Sequence, residues 1–467
     1  MSREPAPVSL PVALTIAGSD SGGGAGIQAD LKTMEAHGVF GTSAITSVTA
    51  QNTRGVEGFS TLPVEEVEAQ CEAVLSDFDV RAVKTGMLAE APVVRSVAEQ
   101  VSGLEIPAVV DPVMVAASGD RLLDSAGEEA YADLFTHATL VTPNTDEAEV
   151  LTGIELTDDE SAAAAGEALR EMGADAALVK GGHVPGETVR DVLVTADGID
   201  VFEHPRIATE ATHGSGCTLA SAITARLALG DDLRTAVGGA TAFMERAVRY
   251  AADVGEGPGA VHHLVELRNR AARNDTAEAV ESVVQLFVER DVSALVPEVG
   301  MNVVGATPYA EAVDETAAVE GRITRTMTGV KPNRGVRFGA SSHVARFLLS
   351  ARENDPSLRF AVNCRFDSDV ENALSTLSGE VAEFDRGEEP ADVKAEEGST
   401  MGWGARRAFE SASGTPIAII DRGEVGKEAI VKLLAADSEE LQRRTLALLS
   451  ALEAREPDEK DEEGASP

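Results

Sequence analysis

Strand-like and helix-like segments alternate through the first half of this chain, and that alternation restricts the fold more than any other feature. The apolar runs Val12–Ala17 and Pro107–Val113, for example, each lead through a loop into a helical pattern. Repeated strand–helix order is typical of a mostly parallel sheet with helices on both faces. We therefore predict an α/β fold for this half.

Polar residues gather where the predicted strands end. In open α/β sheets, ligands bind at the carboxyl ends of the strands. We therefore expect one ligand site at that edge. Seven residues follow strand-like segments in this way: Asp20, Gln51, Asp111, Asn144, Glu147, Lys180 and Cys217.

The segment Thr212–Thr218 is a glycine-rich turn that opens onto an alanine-rich helical pattern. The first amides of a helix have no partner within it, and the helix dipole favours negative charge there, so such a turn is suited to an anion. Cys217 falls in the first turn, where we expect the thiol pKa to be lowered. The alternative is a turn that caps a buried helix, with Cys217 as a small core residue.

Acidic residues far outnumber basic ones, 79 against 39, which gives a net charge of −40 spread along the chain. A field of that sign repels nucleic acid and anionic membranes, so we expect neither as a partner. The simplest explanation is adaptation to a high-salt cytoplasm, where screening removes the self-repulsion. An ordinary acidic mesophilic protein is the alternative.

The cysteines and the N-terminus point to a cytoplasmic protein. Cys71, Cys217 and Cys364 are far apart and form no CxxC pair. This argues against a disulfide framework or a zinc site and fits a reducing compartment. The N-terminus lacks a convincing signal peptide, and no run approaches the roughly 18 apolar residues of a membrane span.

Seven segments together resemble the ribokinase-like superfamily, and within it the hydroxymethylpyrimidine/phosphomethylpyrimidine kinases. They occur in that family's order and cover about residues 10–265. The segments are AGSDSGGGAGIQADLKT (17–33), TSVTAQNT (46–53), VKTGML (83–88), DPVMV (111–115), TPNTDEAE (142–149), VKGGH (179–183) and HGSGCT (213–218).

This resemblance implies ATP and Mg²⁺ as cofactors and a role for each matching residue. The pyrimidine pocket would consist of Gly18, Asp20, Gln51, Met87 and Val113. Asp111 and Glu147 would hold Mg²⁺, directly or through water, with Asn144 beside them and Lys180 on the nucleotide phosphates. The anion hole would be Gly214, Ser215, Gly216 and Cys217. Many relatives have an aspartate base at the Cys217 position, whereas these kinases have a cysteine that would take the proton. For Asp111 and Glu147 the alternative is a helix-cap or loop residue.

A basic segment stands out in the second half of this acidic chain. It carries Arg322, Arg325, Lys331, Arg334, Arg337, His343 and Arg346. Local positive charge against such a background favours an anionic ligand, phosphate or pyrophosphate. Alternatively, some of these residues pair with surface carboxylates.

The second half resembles the ThiN family of thiamine-phosphate synthases, which often follow a phosphomethylpyrimidine kinase. The matching segments are GRITRTMTGV, FGASSHVARFLLSA, DPSLRFAVNCRF, TMGWGARRA and IIDRGEVGKEA. The resemblance implies Arg322 and His343 as the catalytic pair, with Arg322 on the leaving pyrophosphate and His343 assisting proton transfer or departure of that group. Second-line candidates are Asn363, Arg365 and Asp421. Ser341 and Ser342 would bind phosphate if a helix starts there.

These resemblances predict a bifunctional enzyme of thiamine synthesis. A kinase domain (10–265) would make hydroxymethylpyrimidine pyrophosphate. After a linker (266–276), a second α/β domain (277–452) would join it to thiazole phosphate, and an acidic disordered tail (453–467) would follow. We expect small-molecule substrates and assembly with copies of the same chain. One alternative is a C-terminal domain that senses thiamine phosphates without catalysis. Another is a sugar or pyridoxal kinase, against which Gln51 and Cys217 argue.

Overall fold

The computed structural model describes residues 7–114, 125–182, 184, 186–395, 399–424 and 426–454. The chain divides into two compact units, Met1–Leu267 and Arg268–Pro467, each of which is described by itself. Most of the predicted acidic tail, from residue 455 onward, lies outside the described residues, as do Val115 and His183, the last residues of two motifs.

The first unit alternates strands and helices along the sequence. Its strands are β1 (Val12–Ala17), β2 (Phe40–Ile45), β3 (Ser47–Asn52), β4 (Gly55–Thr61), β5 (Val80–Thr85), β6 (Ala108–Val110), β7 (Leu140–Val141), β8 (Ala177–Val179), β9 (Thr188–Thr195) and β10 (Gly198–Pro205). Its helices are α1 (Gly26–Ala36), α2 (Val64–Leu75), α3 (Ala91–Ser102), α4 (Ser125–Phe135), α5 (Thr145–Thr152), α6 (Asp159–Glu171), α7 (Ser215–Ala228) and α8 (Leu233–Arg249).

The main sheet of this unit has the order β10-β9-β8-β7-β6-β5-β1-β2. Adjacent strands are parallel across the part of this sheet that runs β8-β7-β6-β5-β1-β2. Strands β9 and β10 add an antiparallel hairpin at one edge. The predicted mostly parallel sheet is thus confirmed. A separate antiparallel hairpin, β3–β4, stands beside it.

Alternation along the strands explains why helices cover this sheet on both faces. Leu14 pairs with Val83, and both belong to an apolar core shared with α2, α3 and α4. The next pair in register is Thr15 and Lys84, which point the other way, towards α1 and α7. Successive side chains of a strand face opposite sides of a sheet, so helices bury each strand on both of its faces.

The second unit is built on a largely antiparallel sheet. Its strands are β11 (Val303–Ala306), β12 (Thr316–Val319), β13 (Ile323–Thr326), β14 (Gly329–Pro332), β15 (Val336–Phe338), β16 (Phe360–Arg365), β17 (Val381–Phe384), β18 (Ala418–Asp421) and β19 (Ile430–Ala435). The sheet order is β15-β12-β11-β16-β19-β18-β17, and β13–β14 form a separate hairpin. Only β17 and β18 pair in parallel among the described strands of this sheet.

Helices cover both faces of this second sheet as well. They are α9 (Val265–Ala271, which crosses the unit boundary), α10 (Arg273–Glu289), α11 (His343–Asn354), α12 (Ser368–Leu374), α13 (Ala391–Ala395), α14 (Ser399–Ser411) and α15 (Ser438–Glu453). Val303 and Leu433 belong to the core with α10, α12 and α15, whereas their neighbours Val304 and Leu434 belong to the core with α11 and α14. The predicted second α/β domain is confirmed in class.

The segment predicted as a linker, residues 266–276, is helical, since it spans α9 and the first turn of α10. The boundary between the units falls within it, between Leu267 and Arg268. Among the described residues, none of the helices is both long and apolar enough for a membrane crossing.

Candidate active site

A cavity of about 470 Å³ opens in the first unit where the parallel strands end. Every residue that the sequence assigned to the pyrimidine, phosphate and metal positions of the kinase lies on its wall. The wall includes Gly18, Asp20, Gln51, Met87, Asp111, Val113, Asn144, Glu147, Lys180 and the run from Gly214 to Cys217. The structure therefore brings together residues that lie up to 199 positions apart (217 − 18).

Asp20 organises the glycine-rich loop after β1. Its carboxylate is 1% exposed and accepts hydrogen bonds from the amides of Gly22 (2.7 Å), Gly24 (2.9 Å) and Ala25 (2.7 Å). His213 Nε2 lies 3.2 Å from the same carboxylate. Burial by itself raises the pKa of Asp20, but the bonds from His213 and the amides outweigh it, so the pKa lies below its ordinary value. Asp20 thus shapes the pocket chiefly by holding the loop and the His213 ring.

The predicted pyrimidine side of the cavity is formed by β3 and the loop after β5. Gln51 Nε2 lies 3.4 Å from His213 Nε2, and Thr49 Oγ1 lies 3.3 Å from Gln51 Oε1. The Gly18 amide donates to the Met87 carbonyl at 3.1 Å, which fixes the Met87 side of the wall. His213, which the sequence analysis did not single out, therefore belongs to this site. Its place at the start of the HGSGCT segment was the available signal.

Asp111 follows β6 and Lys180 follows β8, the two parallel strands on either side of β7, and the side chains meet at 3.1 Å between Oδ1 and Nζ. Asp111 also accepts from Thr142 Oγ1 at 3.1 Å. The backbone continues the parallel ladder past the strand ends, since the Asp111 amide donates to the Thr85 carbonyl (3.1 Å) and the Lys180 amide to the Pro143 carbonyl (2.9 Å). The register of the sheet thus sets this pair.

Glu147 lies at the N-terminus of α5 in a reciprocal cap with Asn144. The Glu147 amide donates to Asn144 Oδ1 (2.8 Å), and the Asn144 amide donates to Glu147 Oε2 (2.8 Å). Glu147 is therefore a helix-cap residue, as the alternative interpretation predicts, and its side chain also lines the cavity. Burial first, and then the charge of Asp111, raise the pKa of Glu147 to about 7 against the opposing effect of Lys180.

The first turn of α7 closes the cavity from the other side. Gly214 caps this helix with φ of 80°, and a Cβ atom there would lie 1.8 Å from the Gly24 carbonyl oxygen. Only glycine fits this conformation and this approach. The Ser215 amide donates to the Thr212 carbonyl at 3.1 Å. Of the residues predicted to form the anion hole, Gly216 and Cys217 follow Ser215 in the first turn of α7. Their amides therefore lie at the N-terminus of this helix.

Cys217 lies in this first turn, but its thiol does not have the lowered pKa that the sequence predicts. Burial raises the pKa to about 11. Lys84 and the Gly26 amide favour the thiolate, whereas Asp30 and Asp111 oppose it. Desolvation by the surrounding protein outweighs the stabilisation of a thiolate by the helix N-terminus, so the predicted lowering of the thiol pKa was wrong.

A second cavity, of about 240 Å³, adjoins the first at Lys180, Ser215 and Gly216. Its remaining wall is mostly apolar and comes from the β9–β10 hairpin and from α8. His204 and Asp191 add a polar pair, 3.9 Å apart. No role at the site was predicted from the sequence for this hairpin. Its position, between the VKGGH and HGSGCT segments, could have indicated a role at the site.

In the second unit, the structure places Arg322 in the turn between β12 and β13 and His343 at the start of α11. Arg322 is exposed, has φ of 71°, and donates to the Val299 carbonyl. Partial burial of its ring, and then the nearby charges of Arg322, Arg346, Lys432 and Arg386, lower the pKa of His343. The two predicted catalytic residues therefore share one positively charged neighbourhood.

Beneath that neighbourhood lies a buried charge cluster. Arg386 donates to both oxygens of Asp421, at 2.8 and 2.7 Å, and Lys432 Nζ lies 3.5 Å from Asp421 Oδ2. Lys432 also lies over the Phe347 and Phe384 rings, with Nζ 4.7 and 5.8 Å from their centroids. Burial lowers the pKa of Lys432 against the opposing charge of Asp421. Arg386 and Lys432 were not among the residues predicted from the sequence.

The other second-line candidates are engaged in holding the backbone. Asn363 accepts from the Asn302 amide (2.7 Å) and donates to the Gly300 carbonyl (3.0 Å), and Arg365 pairs with Asp367. Arg334 and Arg337 each form an ion pair with Glu320 at 3.1 Å. For these two residues, the alternative of pairing with surface carboxylates is confirmed. Helix α11 begins at His343, with Ser342 as its cap residue.

Two protein families match separate parts of the chain. Residues 20–262 match the family described as phosphomethylpyrimidine kinase, and residues 279–447 match the family described as thiamine-phosphate synthase ThiN.

Individual relatives agree with the first of these matches. A hydroxymethylpyrimidine/phosphomethylpyrimidine kinase of Streptomyces coelicolor is 47% identical over 264 residues, which is 56% of this chain and 98% of that protein. The thiamine biosynthesis bifunctional protein ThiED of Geobacter sulfurreducens is 46% identical over 54% of this chain and 52% of its own length. Among solved structures, pyridoxal kinase from Staphylococcus aureus in complex with ADP superposes with a TM-score of 0.53 and 33% identity, covering 56% of this chain and 96% of that one.

Proposed function

The chain belongs to the phosphomethylpyrimidine kinase family and carries a ThiN-type domain behind the kinase, and on that premise we propose a two-step reaction. The first unit phosphorylates hydroxymethylpyrimidine and then its monophosphate, with ATP as donor, to give the pyrophosphate. The second unit joins this product to thiazole phosphate, which yields thiamine phosphate and releases pyrophosphate.

The observation that carries the kinase step is the convergence of Asp111, Lys180 and the first turn of α7 on one cavity. Phosphoryl transfer requires positioning and charge stabilisation more than a strong base. The α7 amides face the transferred group, Lys180 contacts the nucleotide phosphates, and the pyrimidine lies between Gln51 and Met87. The adjoining apolar cavity along the β9–β10 hairpin accepts the nucleotide base.

The residues present fit a magnesium ion. Asp111 and Glu147 offer carboxylate oxygens at one edge of the cavity, and Mg²⁺ is commonly held by one or two carboxylates together with substrate phosphates. Among the described residues no group of three or more His, Cys, Asp or Glu side chains is arranged to hold a metal alone, which agrees with a site completed by phosphates. When bound, the ion neutralises charge on the nucleotide phosphates.

Cys217 contacts the attacking hydroxyl in this proposal. With a pKa of about 11, roughly one thiol in ten thousand is ionised at pH 7, so a standing thiolate base contributes little. The sulfur therefore acts mainly by holding the hydroxyl in line with the γ-phosphate, and it takes the proton only as the transition state develops.

For the second reaction, the carbon–oxygen bond to pyrophosphate breaks as the thiazole bonds to the pyrimidine methylene carbon, and pyrophosphate leaves with the electron pair. Arg322 holds the leaving group. The lowered pKa of His343 keeps its ring neutral near pH 7, so it hydrogen-bonds the reacting groups. The supporting observation is the cationic neighbourhood that these two residues share with Arg346, Arg386 and Lys432.

A coupled assay on the full-length chain in molar KCl tests both steps. Hydroxymethylpyrimidine, thiazole phosphate and Mg-ATP are supplied, and ADP and thiamine phosphate are measured, with pyridoxal as the competing kinase substrate. Preference for pyridoxal would contradict the pyrimidine assignment. Kinase product without thiamine phosphate, unchanged by Arg322→Ala, would replace the synthase by the sensing alternative. Assembly with further copies and a cytoplasmic location stay predictions of the sequence.

A further inference from the structure

A buried polar network lies behind the kinase cavity, and the proposed reaction gives it no role, although two of its members, Asp30 and Lys84, fall within the motif segments AGSDSGGGAGIQADLKT and VKTGML. At its centre is the Asp30 carboxylate. It accepts from Thr15 Oγ1 (2.6 Å), from Lys84 Nζ (3.0 and 2.9 Å) and from Ser221 Oγ (2.6 Å). All four side chains are fully buried.

The network joins four different elements, namely β1, α1, β5 and α7. A buried ion pair is costly to desolvate and is only held where further hydrogen bonds satisfy both partners, as they do for Asp30. Replacing such a group by apolar residues would often be neutral for stability. Its placement in the cavity wall therefore suggests a role at the site.

Helices α1 and α7 meet where Asp30 accepts from Ser221 Oγ at 2.6 Å. Cys217 lies four residues before Ser221 in α7, one helical turn nearer the N-terminus. Residues four apart lie on the same face of a helix. The position of Cys217 is therefore tied to the position of Ser221, and through Asp30 to Lys84.

Lys84 itself lines the kinase cavity together with Asp111 and Cys217. The residue two positions later is Gly86, where a Cβ atom would lie only 2.8 Å from Lys84 Nζ. A residue larger than glycine at position 86 would therefore clash with the Lys84 ammonium. Four charged groups from separate elements bear on the Cys217 sulfur: Lys84 from β5, Asp30 from α1, Asp111 after β6 and Lys180 after β8.

We propose that Lys84, held by Asp30, is a positioning residue of the kinase: it fixes α7 against β5 and keeps a positive charge beside the Cys217 sulfur. This inference rests on the proposed phosphoryl transfer. In this proposal Lys84 acts by holding Cys217 and the anion-binding turn at a set distance from Asp111.

The main variant is Lys84→Met, which keeps the length of the side chain and removes the charge. Because it leaves Asp30 buried without its cation, the paired variant Lys84→Met with Asp30→Asn accompanies it. Ser221→Ala keeps the ion pair and removes only one bond to α7. Arg226→Met is the matched control, since it removes an ion pair of 2.7 Å with Asp231 at the far end of the same helix.

Three quantities are measured on the full-length chain: the unfolding temperature, kcat and KM for hydroxymethylpyrimidine, and the rate at which iodoacetamide alkylates Cys217 without substrates, located by mass spectrometry. In whichever Lys84 variant folds, we expect kcat to fall by about 10²-fold with KM little changed, because the sulfur and the anion-binding turn are displaced. In Lys84→Met alkylation slows about tenfold, the change that one pKa unit produces. In the double variant it slows less, because the opposing charge of Asp30 is removed as well. Ser221→Ala lowers kcat by about fivefold, the worth of one hydrogen bond, with alkylation unchanged.

Wild-type kcat in a folded Lys84 variant, or wild-type alkylation in Lys84→Met, would overturn the inference, as would a loss confined to KM or an equal loss in Arg226→Met. If the wild-type chain does not phosphorylate hydroxymethylpyrimidine, the proposed function fails. The alkylation rates, which need no substrate, then still decide whether Lys84 governs the sulfur.

Discussion

The two units place their candidate sites on opposite kinds of sheet. In the first unit β1, β5, β6, β7 and β8 run parallel, so the residues after them meet at one edge and line a cavity of about 470 Å³. In the second unit β11, β12, β16, β18 and β19 run antiparallel to their neighbours in that set, and Arg322 and His343 lie on exposed ends of elements.

The charge arrangement differs in the same way. In the kinase cavity each buried cation faces a carboxylate, as Lys84 faces Asp30 and Lys180 faces Asp111. In the second unit, Arg386 and Lys432 share the single carboxylate Asp421, and His343 lies near four cations. The first arrangement suits catalysis with an added metal ion, and the second suits an anion held by the protein's own positive charge.

The sharpest way to break this comparison is to disable the first site alone. We expect Cys217→Ala to reduce phosphoryl transfer by about 10²–10⁴-fold, because the attacking hydroxyl loses its contact. Thiamine phosphate formation from supplied hydroxymethylpyrimidine pyrophosphate should be unchanged. The control is Cys71→Ala, a buried cysteine of α2 that belongs to the apolar core and not to the cavity wall. Near-normal turnover in Cys217→Ala would reduce Cys217 to a structural role.

Removing the shared carboxylate tests the charge arrangement of the second unit. Asp421→Asn should lower the free energy of unfolding by about 3–5 kcal/mol, because it leaves Arg386 and Lys432 buried without a counter-charge. Urea unfolding followed by the fluorescence of Trp403, the only tryptophan in the chain, reports on this unit. Glu320→Gln, which removes the exposed partner of Arg334 and Arg337, should cost less than about 1 kcal/mol.

The same variant has a defined pH dependence. The bonds and charges of Arg386 and Lys432 hold the pKa of Asp421 below its ordinary value, although burial opposes them. A carboxylate with a depressed folded-state pKa stabilises the fold above its unfolded-state pKa, and that stability is lost as the pH falls through the folded-state value. The difference between wild type and Asp421→Asn should therefore shrink on acidification. A difference that grows in acid would contradict the assignment.

The smallest effect concerns the backbone at Arg322. A residue other than glycine at φ of 71° costs roughly 1 kcal/mol, so Arg322→Gly should unfold at a higher urea concentration than Arg322→Ala. Both variants should lose thiamine phosphate synthesis, because both lack the guanidinium. Equal stability of the two variants would show that the turn carries no strain, and synthesis retained by either would remove Arg322 from the catalytic pair.

Simple geometry explains why the residues predicted for the first site lie together on one cavity. Asp111, Asn144 and Lys180 each follow a short apolar run, and parallel strands bring such positions to one edge. The Asp30–Lys84 pair was missed, since Asp30 is one polar residue within a helical pattern and Lys84 one within a strand. Such a pair becomes visible only when the register places Thr15 beside Lys84.

Local rules also failed where burial decided the outcome. A cysteine at a helix N-terminus predicts an acidic thiol, but the protein packed around Cys217 raises its pKa to about 11. In the second unit, the motifs located Arg322 and His343 but not Arg386 and Lys432. Antiparallel strands reverse direction at each turn, so the order of residues in the sequence does not show which ends meet.

The bond between His213 and Asp20 closes a loop of 193 residues and so bears on how the chain is made. The glycine loop after β1 leaves the ribosome first, with its carboxylate and amides solvated, and its partner arrives only when the HGSGCT segment has been translated. At 5–20 residues per second, that interval is roughly 10–40 s. The kinase site is thus one of the last parts of the first unit that can form, however early its opening strand folds.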